Sequence, residues 1–250
     1  MIYSEASHIG KVRKNNEDYC HGEVIETSDG KIGLFALADG MGGHKKGETA
    51  SVMAVDGVIE FIKYQLIKKD YTDIENIENI LKESYKYVNS KIYTKSQENS
   101  EYRGMGTTLV VAINHNKKLY IANVGDSRCY IYRNDILKKI TKDHSVIEDL
   151  LRSGVITEKE AKTHPSRNQI TRAIGTDSKV MVDIYIVELK KYDKILLSSD
   201  GLTGFVEHDI IKEIMKNNDV EVDIISNDLI NKANEISGKD NITVIVIEEE

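Results

Sequence analysis

The chain has 250 residues, of which 40% are hydrophobic and 30% charged, and a formal net charge of −7. These proportions fit a globular protein with an adequate core, and no apolar stretch reaches the length that spans a membrane. The net negative charge argues against non-specific binding to nucleic acid. A phosphate-bearing substrate would be repelled by such a surface, so its binding site would need local positive charge from a metal or an arginine.

Two features of the sequence predict a cytoplasmic protein. The start of the chain, Met1 to Glu5, lacks the charged and then apolar order of a secretory signal. Cys20 and Cys129 have no CxxC spacing, so we interpret them as reduced thiols. Because we find no internal repeat and no linker, we predict one domain over residues 1–250.

The first part of the chain predicts strands followed by helices. The second helix begins with a possible capping box between Thr72 and Glu75. The predicted elements are strands over 2–7, 18–24 and 33–38, helices over 47–67 and from 72 onward, and a polar loop over 95–103.

The second part predicts strands again, interrupted by one polar segment. Residues 142–174 are polar, helical in patches and contain the only proline, which indicates an insertion between two sheet strands. This order lacks the strict alternation of a doubly wound fold and favours a β-rich α+β core with helices outside. The predicted elements are an antiparallel meander over 108–114, 118–124, 128–133 and 136–140, strands over 182–188 and 194–199, helices over 207–215 and 220–236, and a final strand over 242–247.

Four aspartates lie at the ends of apolar runs that predict buried strands, and three of them adjoin a glycine. They are Asp39, Asp126, Asp200 and Asp240. A carboxylate at the mouth of a buried strand is destabilising unless positive charge compensates it. We therefore expect the strand ends to converge on a cluster of oxygen ligands for a divalent metal, with more than one ion.

Other motifs for phosphate chemistry fail at a required position. The glycine-rich stretch 42–49 is close to a nucleotide-binding P-loop, but Glu48 stands where that loop needs lysine. Cysteine-dependent phosphatases need an arginine six residues after the cysteine, and Glu26 and Asp135 occupy those positions here. The histidines show no spacing typical of a tetrahedral zinc site.

Eight segments, in order, carry a resemblance to one family. The chain resembles the metal-dependent protein phosphatases of the PPM group (type 2C), in their short bacterial form. The resemblance runs from near residue 10 to near residue 245 and covers essentially the whole chain. The matching segments are RKNNED (13–18), ADGMGGH (38–44), GETAS (47–51), MGTT (105–108), NVGDSR (123–128), DHS (143–145), SSDGL (198–202) and GKDNIT (238–243).

The resemblance implies an αββα sandwich, two antiparallel sheets flanked by helix pairs, with metals at one end. It implies two Mn²⁺ or Mg²⁺ ions and a possible third. Asp39 would bridge the two ions and hold the nucleophilic water. Asp200 and Asp240 would complete one metal site, and the Gly40 carbonyl would join the other. Asp126, together with Asp200, matches a third and weaker metal site of the bacterial members.

The resemblance also implies roles for three residues near the N-terminus. Arg13 matches the arginine that binds phosphate. Glu17 and Asp18 would act through waters of the ions or hold the metal ligands in place. The insertion over 142–174 corresponds to a mobile flap beside the site.

The general acid is left unassigned. Eukaryotic relatives often carry a histidine directly after the Asp-Gly pair as a proposed general acid. Met41 occupies that position in this chain, and His44 follows three residues later.

The implied activity is hydrolysis of phosphoserine and phosphothreonine esters on proteins by a metal-activated water, without a phospho-enzyme. The expected partners are phosphorylated proteins, including a Ser/Thr kinase and its substrates, with no nucleic acid, no membrane and a monomeric chain. Two alternatives stay open: a switch phosphatase dedicated to one phosphoprotein, and a non-catalytic binding module. Nuclease or cyclase chemistry also uses paired metals, but the acidic balance and the lack of a basic groove disfavour a nuclease.

Overall fold

The computed structural model describes residues 1–27, 30–43, 45–68, 76–217 and 220–250. Within these ranges the strands form two sheets, one of five strands and one of six. In chain order the strands are β1 (Ile2–His8), β2 (Asp18–Thr27), β3 (Gly30–Met41), β4 (Gly106–Thr107), β5 (Leu109–His115), β6 (Lys118–Val124), β7 (Arg128–Arg133), β8 (Ile136–Lys139), β9 (Asp183–Glu188), β10 (Lys194–Ser198) and β11 (Ile242–Glu248).

Helices occur in three groups along the same ranges. None of these described helices combines the length and the apolar character needed to cross a bilayer. A short 3₁₀ turn, Ser100–Tyr102, follows the second helix. The helices are α1 (Lys45–Lys68), α2 (Ile77–Glu98), α3 (Val146–Arg152), α4 (Glu158–Ala161), α5 (Asp200–Thr203), α6 (His208–Met215) and α7 (Val222–Ile236).

The two sheets stack on each other around a shared apolar core. The first has the order β1-β11-β10-β7-β8 and the second β2-β3-β5-β6-β9, with β4 pairing to the end of β3. Phe35, Leu197 and Ile245 belong to the core between the sheets. Because side chains alternate along a strand, Leu34 and Ala36 of β3 point to the opposite face and pack with α1 and α2. Burial on both faces explains why β3 is one continuous apolar run.

A second helix pair covers the outer face of the other sheet. Ile211 of α6 and Leu229 of α7 pack in one cluster with Leu196 of β10 and Val244 of β11. The order of layers is therefore helices, sheet, sheet, helices. This order confirms the α+β sandwich with two antiparallel sheets.

The observed elements lie within a few residues of the predicted ones, with two short additions. The strand β4 and the one-turn helix α5 were not predicted, because a single turn or bridge leaves no periodic pattern. The predicted start of the second helix, with Thr72 and Glu75, lies outside the described residues.

Two separate hairpins replace the predicted meander. Both turns are tight, with positive φ of 49° and 59° at Asn116 and Lys117, and 50° and 61° at Asn134 and Asp135. However, β5 and β6 belong to one sheet and β7 and β8 to the other, so the prediction of one meander is wrong. The chain changes sheet at Gly125, whose φ of 107° is a conformation that glycine adopts readily.

The predicted loop over 95–103 is also corrected. The helix α2 continues to Glu98, and the Asn99 side chain then caps the 3₁₀ turn by accepting from the Glu101 amide. The buried stripe of α2 extends to Ser96, a polar residue in an apolar position. The polar composition of this stretch therefore gave a wrong prediction of a loop where the last turn of α2 lies.

Candidate metal centre

A polar cleft of about 240 Å³ opens at one end of the sandwich. The four strand-end aspartates reach the cleft from four different elements. Asp39 lies near the end of β3, and Asp126 and Asp200 follow the ends of β6 and β10. Asp240 precedes the start of β11. The predicted site residues that line the cleft are Arg13, Glu17, Asp39, Gly40, Asp126, Asp200 and Asp240. Asp18 is not part of the lining and lies behind it. The expected convergence of the strand ends is therefore observed.

The backbone of Asp39 is held by the segment that joins β4 to β5. Its amide donates to the Thr108 hydroxyl at 2.8 Å, and its carbonyl accepts from the Thr108 amide and the Thr107 hydroxyl at 2.9 Å each. These bonds leave the carboxylate as the part of Asp39 that faces the cleft. Thr108 is not among the predicted site residues, although it lies in one of the matching motifs.

Gly40 lies where three segments come together. Its amide donates to the Glu17 carbonyl at 3.1 Å. A Cβ on Gly40 would lie 2.2 Å from the Gly47 carbonyl oxygen, and a Cβ on Gly47 would lie 1.9 Å from a Glu17 carboxylate oxygen. Both glycines are therefore required for close packing of α1 against the N-terminal segment.

Asp200 and Asp18 are connected through one serine. Asp200 is the first residue of α5, directly after Ser199. The Ser199 hydroxyl donates to an Asp18 carboxylate oxygen at 2.8 Å and accepts from the Thr243 amide at 3.0 Å. The other Asp18 oxygen and one Asp200 oxygen are buried and have no hydrogen-bond partner in the described part of the chain. Such orphaned oxygens are suited to a cation or its waters.

Asp240 and Arg13 pair with each other across the mouth of the cleft. The Arg13 Nη2 atom lies 2.8 Å from Asp240 Oδ2, and about half of the Arg13 side chain (51%) is exposed. The Asn241 amide donates to the other Asp240 oxygen at 2.9 Å. The predicted phosphate-binding group and one predicted metal ligand are thus direct neighbours.

Asp126 lies near a guanidinium that is already engaged. The side chain of Arg128 donates to Asp143 through Nε and Nη2, at 3.0 and 2.6 Å from one oxygen. This cation lowers the pKa of Asp126, but burial and the Asp200 carboxylate raise it more, and the result is about 7. The nearby arginine therefore offsets only part of the negative charge.

Four carboxyl groups at the cleft, those of Asp18, Asp39, Asp126 and Asp200, have pKa values above that of an ordinary aspartate. Burial raises the pKa of Asp18 to about 7, although the nearby hydroxyl groups of Ser199 and Thr243 act in the opposite direction. Burial, followed by the charges of Asp18 and Asp200, raises the pKa of Asp39 well above its usual value. The pKa of Asp200 is also raised, first by burial and then by Asp240. The cleft is short of positive charge, which a divalent cation would supply.

The donor set fits a hydrated Mn²⁺ or Mg²⁺ ion. In the ranges described above, no three or more His, Cys, Asp or Glu side chains are arranged to hold an ion by themselves. Magnesium and manganese accept carboxylate, carbonyl and water oxygens, and magnesium in particular keeps several waters. Few carboxylates and one backbone carbonyl are then sufficient, and this cleft provides them.

The metal-free protein should lose stability as the pH rises from about 5 to about 7.5. Asp18 and Asp126 have folded-state pKa values of about 7 against an ordinary 3.8, so the folded state binds more protons in this window. Stability then decreases with increasing pH, by a few kcal/mol in order of magnitude. Denaturant titrations in chelator at several pH values would measure the effect.

Two variants serve as controls for that dependence. Asp18→Asn should make it less steep, because the amide does not titrate and Asp126 still does. Asp209→Asn changes an exposed carboxylate of α6 (94% exposed) and should leave it intact. An increase in stability between pH 5 and 7.5 in chelator would contradict the assignment.

The segment predicted as a flap also contributes to the cleft wall. Asn168 and Ile170 line the cleft, although nothing in the polar sequence around them distinguishes them. The segment returns to the sheet where Ile174 pairs with Thr107, with bonds of 3.1 and 2.8 Å between their backbones. Met41 lines the cleft as well, whereas His44 lies outside the described residues.

Comparisons with known proteins agree with this geometry. The sequence matches the protein phosphatase 2C family over residues 6–221. A serine/threonine phosphatase of Listeria innocua is 40% identical over 242 residues, which cover 96% of this chain and 92% of that protein. The protein phosphatase PhpP of Streptococcus pneumoniae is 35% identical over 249 residues, which cover 99% of this chain and 97% of that protein.

Solved structures give the same result. The crystal structure of a serine/threonine phosphatase from Staphylococcus aureus aligns with a TM-score of 0.89 at 38% identity, covering 99% of this chain and 94% of that chain. A serine/threonine phosphatase from Mycobacterium tuberculosis aligns with a TM-score of 0.87 at 33% identity, covering 100% of this chain and 98% of that chain. The resemblance inferred from the motifs is thereby confirmed. The chain therefore belongs to the protein phosphatase 2C family of metal-dependent protein phosphatases, in its short bacterial form.

Proposed function

We propose that this protein hydrolyses phosphoserine and phosphothreonine esters on proteins, with water as the attacking group, and thereby opposes a cytoplasmic Ser/Thr kinase. The observation that carries the proposal is the convergence of four strand-end aspartates and one arginine on a single cleft. The relatives named as serine/threonine phosphatases support the same class of substrate.

The acidic side chains would hold the ions. We assign Asp39, the Gly40 carbonyl, Asp200 and Asp240 to two Mn²⁺ or Mg²⁺ ions, and Asp126 with Asp200 to a third and weaker one. When bound, such ions would lower the pKa of a water molecule towards about 7 and neutralise charge on the phosphate. The raised pKa values of Asp39 and Asp126 support the assignment, because they result first from burial and then from neighbouring carboxylates whose negative charge the cleft does not compensate.

Arg13 would bind the phosphate group of the substrate. Its guanidinium stands at the mouth of the cleft, is about half exposed (51%), and is paired with Asp240. A planar guanidinium can donate two parallel hydrogen bonds to phosphate oxygens, which lysine cannot do. If Asp240 serves an ion, the guanidinium is released for the substrate.

Glu17 and Asp18 would support the site from two positions. Glu17 lines the cleft and its carbonyl fixes the Gly40 amide, so it can orient waters of the ions. Asp18 lies behind the cleft and holds Ser199, the residue before Asp200. Its role is therefore to position the segment that carries Asp200.

The lining supports direct attack by water on phosphorus. The Thr108 hydroxyl accepts from the Asp39 amide and lies 2.8 Å from the Ser127 hydroxyl, so it is already engaged. Cys129 is fully buried in the core between the sheets, and burial raises the pKa of its thiol. Neither group is placed as a nucleophile, and an in-line displacement by water requires no phospho-enzyme.

Hydrolysis of a phosphothreonine peptide tests the proposal. We expect turnover with Mn²⁺ or Mg²⁺, loss of turnover in chelator, and recovery when the metal is restored. Turnover that chelator leaves unchanged would contradict the assigned chemistry. Binding of Mn²⁺ without any turnover would favour a non-catalytic binding module. Hydrolysis of several unrelated phosphopeptides would argue against a switch phosphatase dedicated to one substrate.

A further inference from the structure

We propose that Asn241 is the positioning residue that fixes the N-terminal segment 9–17 to the metal-binding end of the sandwich. Through this segment it would set the placement of Arg13 and Glu17. The expected effect on activity rests on the proposed function, whereas the expected effect on the segment itself does not.

The Asn241 side chain is almost fully buried (5% exposed), and its hydrogen bonds in the described part of the chain all go to backbone atoms of this segment. Its Oδ1 atom accepts from the Glu17 amide at 2.8 Å. Its Nδ2 atom donates to the carbonyl oxygens of Ile9 and Asn15, both at 2.9 Å. Because two of the partners are carbonyls, the NH₂ group must face them, and the orientation of the amide is fixed.

These bonds join both ends of a segment that has no regular secondary structure. Residues 11–14 are exposed, so burial contributes little to their position. Other described contacts support the segment, among them the bond from the Lys11 amide to the Gly238 carbonyl at 2.6 Å and the bond from the Asn16 side chain to the Ser7 hydroxyl at 2.9 Å. Asn241 is therefore in a position to determine where the loop that carries Arg13 lies.

The same residue is in contact with the metal-binding end from two further sides. It directly follows Asp240 in the chain, and its backbone N–H donates to the Asp240 carboxylate. A Cβ on Gly201, beside Asp200, would lie 1.8 Å from the Asn241 carbonyl oxygen. The Glu17 residue that Asn241 holds in turn accepts from the Gly40 amide. Asn241 thus contacts Asp240 directly, and it contacts the neighbours of Asp200 and Gly40, namely Gly201 and Glu17.

Asn241 lines the cleft, but its side-chain amide is not available to a substrate. The three backbone bonds use the side-chain oxygen and the NH₂ group. Aspartate has the same shape but cannot donate to the Ile9 and Asn15 carbonyls, and it adds charge to an acidic cleft. Neither aspartate nor alanine can replace it without loss of bonds.

Asn241→Ala is expected to release the segment without unfolding the sandwich. In the metal-free protein, the Glu17 amide should exchange its hydrogen faster, while amides of the central strands keep their protection. The affinity for inorganic phosphate should fall, and kcat/KM for a phosphopeptide should fall about 10- to 100-fold, through both kcat and KM as for loss of Arg13, a range usual for residues that orient a site. Asn227→Ala removes an exposed asparagine of α7 and is the matched control.

A double-mutant cycle separates positioning of Arg13 from general destabilisation. If Asn241 acts through Arg13, then Asn241→Ala should reduce phosphate affinity far less in an Arg13→Ala background than in the wild type. Additive losses, or an unchanged Glu17 exchange rate in Asn241→Ala, would overturn the proposal. Asn241→Ser, with a smaller cavity, serves the same measurements if the alanine variant does not fold. Because exchange and phosphate binding need no turnover, they remain informative even if the enzyme hydrolyses no phosphopeptide.

Discussion

Asp39→Asn is expected to abolish metal-dependent phosphatase turnover, with a loss in kcat of more than about 10³-fold. Removal of a single charge-stabilising donor from an active site typically costs about 10²–10³ in kcat, and Asp39 is assigned to both principal ions. The hydrogen bonds that fix its backbone remain in the variant, so the change removes charge and leaves the shape. Calorimetric titration with Mn²⁺ should show a parallel loss of binding.

The same variant should be more stable than the wild type when metal is absent. Burial and the neighbouring carboxylates raise the pKa of Asp39, which means that its ionisation destabilises the folded state as the pH rises above the ordinary pKa of an aspartate. The neutral amide removes that repulsion. Asp209→Asn, on the exposed surface of α6, should change neither turnover nor metal-free stability. Turnover within tenfold of the wild type would remove Asp39 from the metal site.

Arg13→Ala is expected to lower kcat by about 10²–10³ and to raise KM for phosphopeptides, because it removes the donor that we assign to the phosphate. Arg13→Lys should recover only part of the loss, since an ammonium group cannot donate two parallel hydrogen bonds. Steady-state kinetics of the three proteins at saturating Mn²⁺ would measure the order.

The ion pair between Arg13 and Asp240 adds an expectation of opposite sign. Because the guanidinium occupies one oxygen of an assigned metal ligand, Arg13→Ala should leave Mn²⁺ affinity unchanged or increase it. Loss of metal binding in this variant would mean that Arg13 supports the ions and not the substrate. Lys232→Ala removes another cation from a surface ion pair, with Glu235 of α7, and is the control for net charge.

Much of the fold could be predicted because its signals are local. Asn116, Lys117, Asn134 and Asp135 occupy the two hairpin turns at positive φ, and alternation or continuous apolar runs mark the flanking strands. The pairing of these hairpins could not be predicted in the same way. The contacts that place them in different sheets are made with strands that are distant in the sequence, and no local pattern records them.

The candidate site likewise has residues that the sequence predicts and supporting contacts that only the tertiary structure reveals. The sequence by itself determined which four aspartates belong to the site. A charged side chain at the end of a buried apolar run is destabilising unless positive charge compensates it, so its presence there indicates a metal or another cation. Only the tertiary structure decided what holds them: Thr108 fixes Asp39 across 69 residues, and Asn241 fixes Glu17 across 224. Such supporting bonds join polar side chains to backbone groups of remote segments. Such bonds cannot be predicted from composition or periodicity, because any chain segment offers the same backbone donors and acceptors.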